Sequence, residues 1–274
     1  MMMMAPVRHL HPQIPNWETR LAAYTGVKLT DLTAAANNEW CVAGAVGSWF
    51  SKMLDVNTIP NDHLNIAAVP LIRGGVAASW ALINFVGADL TVNGLKGNGS
   101  TKYADSKFDA STGGMTQGSG GIVVYIATFV SSTGTVCGAN RVATATHGIN
   151  CHLPYTDNNF YCDIWDRAVA VIVSNPGFSG YACLTRISTT DNRCFKASSV
   201  VAHTQTGSTI GTTVTSNPPD RFLAWWAIRQ STVNSYHAGR FSFCAAHSGL
   251  TGSESSSLFN AVQRLRTQLG GGYV

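Results

Sequence analysis

The chain has 274 residues, of which only 12% are charged, and its formal net charge is +4 at neutral pH. It contains no run of three or more Lys or Arg residues, which argues against nucleic acid as a partner. Its longest apolar runs are far shorter than the roughly 18 residues of a membrane helix. The N-terminus lacks the apolar core of a signal peptide, so we expect synthesis in the cytoplasm and no insertion into a membrane.

The first part of the chain, residues 1–75, is predicted to form an extended arm followed by short helices. Asn37 and Asn38 are candidate N-cap residues for a helix whose apolar residues recur at three- and four-residue steps. We expect this region to serve attachment or oligomerisation. Within it, Trp49 and Phe50 are the expected interface residues.

The remaining part, residues 76–274, has the pattern of an antiparallel β domain. Short β-branched and aromatic runs recur every 8 to 12 residues or so, separated by turn-forming residues. With no helical pattern between the runs, this spacing favours a β-sandwich or jelly roll over a parallel α/β sheet. Strands are predicted near Ser79–Phe85, Tyr103–Phe108, Ile122–Val130, Phe160–Trp165, Val169–Val173, Tyr181–Ile187, Arg193–Ala197, Thr209–Val214, Phe222–Ile228 and Arg240–Ala246.

A closing helix is predicted over residues 251–269. Thr251 and Glu254 have the spacing of a capping box, in which each residue's side chain bonds a backbone N–H of the other. The apolar residues that follow recur at helical spacing, and three glycines from Gly270 end the pattern. One apolar stripe can be buried only against the preceding domain, so we expect this helix to pack on the sandwich.

Three stretches resemble one known family. The segment Asn93-Gly-Leu-Lys-Gly-Asn-Gly-Ser-Thr-Lys-Tyr103 resembles a signature of tailed-bacteriophage virion proteins with a concanavalin A-like jelly-roll domain. The run from Arg240 to Gly270 is similar to the last strand, the turn and the closing helix of those proteins, and the block from Glu39 to Phe85 looks like their N-terminal part. The matches cover about half of the chain and leave its middle unmatched.

The resemblance implies a structural component of a virion, namely a tail fibre, a baseplate protein or a capsid decoration protein. It also implies other virion proteins as partners, a homo-oligomer such as a trimer, and a host cell-surface glycan as a ligand. On this interpretation the protein is located in the virion and is not an enzyme. The alternatives are a tail-associated polysaccharide-degrading enzyme and a free carbohydrate-binding module.

Aromatic residues in the unmatched middle are the candidate glycan ligands, because sugars bind by stacking on exposed rings. Tyr155, Tyr161, Trp165 and Tyr181 are the rings that we select. Trp226 follows another Trp, and alternation along a strand would turn their side chains to opposite faces. We therefore expect Trp226 to lie in a contact surface.

No catalytic residue, metal ligand or cofactor is predicted. Asp163 and Asp166 are the candidate pair for the hydrolase alternative, but three residues apart in a strand their side chains point to opposite faces. The seven cysteines include no C-x-x-C pair, which argues against zinc. Buried free thiols are favoured over a disulfide between neighbouring strands, for which the Cys151–Cys162 and Cys183–Cys194 spacings are suggestive.

Overall fold

The fold is that of a computed structural model. It describes residues 10–73, 79–130, 134–141, 148–152, 159–166, 170–174, 179–198, 201–211, 213 and 217–272. In these ranges, none of the helices is long and apolar enough to cross a membrane.

Helices stand at both ends of the described chain and strands fill the middle. The helices are α1 (Gln13–Thr25), α2 (Asp31–Val46), α3 (Leu64–Ala67) and α4 (Gly252–Gln268). The strands are β1 (Met53–Asn57), β2 (Ala81–Ile83), β3 (Leu90–Thr91), β4 (Gly94–Lys96), β5 (Tyr103–Asp109), β6 (Gly120–Thr128), β7 (Thr135–Asn140), β8 (Gly148–His152), β9 (Asn159–Ile164), β10 (Val171–Ser174), β11 (Gly180–Ser188), β12 (Asp191–Ala197), β13 (Thr204–Ile210), β14 (Phe222–Trp225), β15 (Ile228–Arg229), β16 (Val233–Asn234) and β17 (Arg240–His247).

The strands form two sheets that pack face to face, as the predicted β-sandwich requires. The first sheet has the order β13-β12-β11-β6-β17-β4-β3, with β1 added beside β17. The second has the order β10-β9-β8-β7-β14-β5-β2, with the β15–β16 hairpin attached to β7. Among the described strands the pairing is antiparallel except between β15 and β7. Inward residues of both sheets form one buried apolar core, which includes Ile122, Val124, Phe160, Trp225 and Phe241.

A second apolar core lies between the outer face of the first sheet and the helices. On the sheet side it contains Tyr125 and Phe243, and on the helix side Trp17, Trp40 and Leu258. The Trp40 and Phe243 rings lie 5.7 Å apart, which joins α2 to β17. The first sheet is therefore covered on both faces.

The closing helix α4 confirms the predicted capping box and the predicted packing. The Thr251 hydroxyl accepts the backbone N–H of Glu254, and the Glu254 carboxylate accepts the backbone N–H of Thr251 at 2.8 Å. Leu258, Val262 and Leu265 are buried against the first sheet. This stripe explains why the helix lies on the sandwich.

The N-terminal helices differ from the prediction in their boundaries. The N-cap of α2 is Thr30, whose hydroxyl accepts the Thr33 N–H, and Asn37 lies in mid-helix, where its side chain donates to the Thr33 carbonyl at 2.9 Å. The helix ends at Val46, and residues 53–57 form β1, which pairs with β17. The described residues 10–73 thus pack on the sandwich, and the role of this region in attachment or oligomerisation stays a prediction.

Candidate functional site

The outward face of the second sheet carries the candidate site. Helices α1, α2 and α4 contribute to the core on the first sheet, so this face is the one that the described helices leave uncovered. Because side chains alternate along a strand, those of this outward face point away from the core. Ala104, Cys137 and Trp225 point inward, so their neighbours along each strand point outward.

One row of outward residues crosses five strands of this sheet. In order, the directly paired positions are Asp163 on β9, Asn150 on β8, Gly138 on β7, Ala224 on β14 and Asp105 on β5. Paired residues share a face, so polar side chains flank a floor of two small residues. Asp163, Asn150 and Asp105 are all at most 5% exposed.

Asp105 is the centre of a charge cluster at one end of this row. Its Oδ2 lies 2.6 Å from Lys107 Nζ and 2.7 Å from Arg229 Nη2, the second contact being an ion pair outside hydrogen-bond geometry. Its Oδ1 accepts the Lys107 backbone N–H at 3.1 Å. Lys107 has a φ of +58°, a left-handed conformation that bulges β5 and returns the lysine ammonium to its own strand's carboxylate. Two cations therefore hold one buried carboxylate.

A cleft of about 360 Å³ opens beside this cluster, and we name it the Phe222 cleft. It lies where the start of β14 meets the end of β5, with Phe222 paired to Asp109, and the turn after β15 forms its other wall. Its lining residues are Asp109, Asp220, Arg221, Phe222, Arg229, Gln230 and Ser231.

The lining of the Phe222 cleft combines one aromatic ring with charged and amide groups. Phe222 is half-buried, and Lys107 Nζ lies 5.6 Å from its ring centroid, a cation–π distance. The Asp109 carboxylate accepts the backbone N–H and the hydroxyl of Ser111 at 2.8 and 2.7 Å, which fixes its orientation. Donors such as the Arg221 guanidinium and acceptors such as Asp109 thus face one partly apolar space.

Two of the predicted glycan-binding rings are not available to a sugar. Trp165 and Tyr181 are both fully buried. Trp165 packs its ring against Gly120, and the Tyr181 hydroxyl lies 3.1 Å from Ser255 Oγ beneath α4. Tyr161 is half-buried on the outward face of the second sheet, beside His152, while Tyr155 lies outside the described residues.

The predicted interface tryptophans are also inside the chain. Trp49 is fully buried, its ring 4.8 Å from that of Trp40, and its indole N–H donates to Ser257. Trp226 is fully buried because its φ of +62° ends β14 and turns the ring back into the core, 4.6 Å from Phe241. Strand alternation therefore does not place the Trp226 side chain on the opposite face from that of Trp225. Phe50 is half-buried, and its ring centroid lies 4.6 Å from that of His11.

The carboxylates of the hydrolase alternative do not face each other. Asp163 lies within β9 on the outward face, opposite Asn150. Trp165 has a φ of +74° and ends the strand, so Asp166 follows a turn and lies near Arg186. The Asp166 charge raises the pKa of Arg186, but burial lowers that pKa by more. The two acids thus belong to different surroundings.

Within the described ranges, no group of three His, Cys, Asp or Glu side chains converges as metal ligands would. His147 and the loop residues Asp157 and Asn158, whose side chains are of metal-binding type, lie outside the described residues. All seven cysteines are buried and free.

The Phe222 cleft was not predicted from the sequence, although one signal was present. A strand was predicted near Tyr103–Phe108, and Asp105, Lys107 and Asp109 alternate along it. Charge at every second position indicates an outward, polar face. Arg229 and Gln230 carry no comparable signal, since only the fold brings the hairpin after β14 to this strand.

No family model matches the chain, and no curated protein matches it. Solved structures do match. A mutant of Trypanosoma rangeli sialidase displaying trans-sialidase activity is 13% identical with a TM-score of 0.46, over 84% of this chain and 39% of that chain. Domain 4 of a GH43 extracellular arabinanase from Geobacillus stearothermophilus, in complex with arabinotriose, is 11% identical with a TM-score of 0.41, over 76% of this chain and 98% of that one. A GH54 α-L-arabinofuranosidase is 10% identical with a TM-score of 0.46, over 86% of this chain and 66% of that one.

These neighbours are carbohydrate-active enzymes or a domain of one, and none of the three is a virion protein. The prediction of a structural virion component was therefore wrong, and the prediction that the chain is not an enzyme is contradicted with it. At such identities the likeness concerns the sandwich architecture alone. This chain spans 39% of the sialidase.

Proposed function

We propose that the chain binds a glycan in the Phe222 cleft. The observation that carries this proposal is the combination of one half-buried ring with fixed carboxylate, guanidinium and amide groups in an open cleft. A sugar presents an apolar ring face and a rim of hydroxyls, each of which can donate and accept. Phe222 fits the ring face, while Asp109, Arg221 and Gln230 fit the hydroxyls.

Binding is tested by calorimetry or a glycan array with neutral and acidic polysaccharides. Phe222→Ala and Arg221→Ala are each expected to weaken binding by about 10-fold, as the loss of one stacking or charged contact implies. Arg264→Ala is the matched control, because Arg264 is exposed on α4, which packs on the first sheet. The proposal is overturned if no polysaccharide binds, or if the two cleft variants bind as well as the control.

Glycan cleavage is the second candidate, because Asp109 and Asp220 line the same cleft. Glycoside hydrolysis commonly uses one carboxylic acid and one carboxylate on either side of the scissile bond. Release of reducing ends from a bound polysaccharide is the measurement. Asp109→Asn and Asp220→Asn are expected to abolish it, whereas Asp191→Asn, on β12 of the other sheet, is expected to leave it unchanged. Binding without any release of reducing ends would exclude cleavage and leave the binding proposal intact.

A further inference from the structure

A cluster of thiols lies in the core between the two sheets. On the second sheet, Cys137, Cys151 and Cys162 occupy one inward row, since Cys137 pairs with Cys151 and Cys151 pairs with Cys162. From the first sheet, Cys194 and Cys244 point into the same core. Because all five thiols are buried in one apolar core, the distances between them determine which thiols can react with each other.

Two of these thiols meet across the sandwich. The Cys162 thiol on β9 donates to Cys194 Sγ on β12 at 3.7 Å, so this contact joins one sheet to the other. Both side chains are at most 1% exposed. Formation of a disulfide would shorten the separation to about 2.05 Å, which small rotations of the two side chains would have to supply.

The surroundings of the pair make the two thiols chemically unequal. The hydrogen bond from Cys162 lowers the pKa of Cys194 more than burial raises it, and the charge of Lys196 lowers it further. Burial raises the pKa of Cys162 well above its usual value. Lys196 is itself 6% exposed, with its ammonium 5.6 Å from the Phe160 ring centroid. In the folded chain Cys194 is thus the more acidic thiol of the pair.

We propose that Cys162 and Cys194 form a disulfide that links the two sheets when the chain folds in an oxidising environment. The oxidant is a small disulfide such as oxidised glutathione. In the open chain either cysteine can react first; where Cys194 does, its thiolate attacks one glutathione sulfur, which releases one reduced glutathione and leaves a mixed disulfide. Cys162 then loses its proton to water and attacks Cys194 Sγ, which releases the second reduced glutathione. Two thiols are oxidised and one disulfide is reduced. The exchange precedes closure of the sheets, because both thiols are buried in the folded chain.

The test is refolding of the reduced, unfolded chain in a glutathione redox buffer, followed by alkylation in denaturant and peptide mapping. Trypsin releases residues 142–167, which contain Cys151 and Cys162, and the tripeptide 194–196. The expected product is these two peptides joined with the loss of two hydrogen atoms. Cys151→Ala is expected to retain the link and so assign it to Cys162. The proposal is overturned if both cysteines of 142–167 are alkylated, or if the link joins another cysteine.

Thermal unfolding gives a second readout. The oxidised protein is expected to unfold about 5–10 °C above the same protein reduced by dithiothreitol. Cys194→Ala is expected to abolish this difference, while Cys183→Ala is expected to retain it. Cys183 is the matched control because it is buried on neighbouring β11 but faces the helices. Equal melting temperatures for the oxidised and reduced protein would count against the link.

Discussion

Lys52 Nζ lies 2.7 Å from Glu254 Oε2, and this contact connects the segment before β1 to the capping box of α4. Glu254 also accepts the Thr251 backbone N–H, so one carboxylate serves both a helix start and a tertiary ion pair. Burial raises the pKa of Glu254, but the hydrogen bonds from Lys52 and Thr251 outweigh it, and the pKa lies below its ordinary value of 4.5.

Glu254→Gln is expected to lower the free energy of unfolding by about 0.5–1 kcal/mol at neutral pH, because the partly exposed ion pair with Lys52 is lost while the glutamine oxygen can still accept the Thr251 N–H. A lowered carboxyl pKa adds stability above the unfolded pKa, and that stability is lost as pH falls through the folded pKa. The difference between the two proteins should therefore shrink below pH 4.5. Urea unfolding across pH measures it, and a difference independent of pH would contradict the ion-pair account.

His247 should make the fold lose stability in acid at a higher pH than Glu254 does. It is fully buried, and burial lowers its pKa to about 3, although hydrogen bonds with the Leu184 and Ile122 backbone oppose this. The His247 imidazole binds a proton near pH 6.5 in the unfolded chain but stays neutral there in the folded chain, so stability falls as pH drops below 6.5. Between pH 7.5 and 5 the loss is about 2 kcal/mol.

His247→Gln is the variant that isolates this effect, because His203, whose pKa burial also lowers, is retained in both proteins. The variant is expected to be less stable than the parent at pH 7.5, since the Gly249 N–H donates to His247 Nδ1 at 3.0 Å. Its stability should fall less steeply between pH 7.5 and 5. Parallel stability curves for the two proteins would show that His247 is not the titrating group.

The sequence predicted the elements whose signals are local. The Thr251–Glu254 capping box and the apolar stripe after it define α4 without reference to the rest of the chain. The strand alternation also located β6, β11 and β17 close to their true positions. The strand predicted at Thr209–Val214 shares only its first two residues with β13, which is Thr204–Ile210, a largely polar edge strand with little hydrophobic pattern. Residues 212 and 214 of that prediction lie outside the described residues.

The parts that the sequence analysis missed depend on the backbone or on distant pairing. A single left-handed residue reverses the direction of a side chain, as at Trp226, and strand periodicity cannot show it. The strand β1 was missed because its partner β17 lies at the other end of the chain. For the same reason the ion pair between Asp105 and Arg229 has no local signature.

Trp226→Ala is expected to destabilise the chain by about 3–5 kcal/mol, the usual effect of removing a buried Trp side chain. Its ring packs on Phe241 and Phe85, and its N–H donates to the Gly239 carbonyl at 3.0 Å. The mass in solution should be unchanged, because the ring lies inside the chain. Urea unfolding and light scattering measure the two quantities. A variant of full stability and altered oligomeric state would restore the interface prediction.

Gly44→Ala should destabilise the chain, although replacing Gly by Ala within a helix normally stabilises by about 1 kcal/mol. A Cβ at this position of α2 would lie 2.6 Å from the Trp49 ring. That ring cannot move aside cheaply, because it is fully buried, packs on Trp40 and donates to Ser257. Overpacking of this kind costs about 1–3 kcal/mol. Gly87→Ala is the control, since nothing lies within 4 Å of its Cβ. Urea unfolding should show a loss for Gly44→Ala and little change for the control, and a gain at Gly44 would show that the Trp49 ring is free to shift.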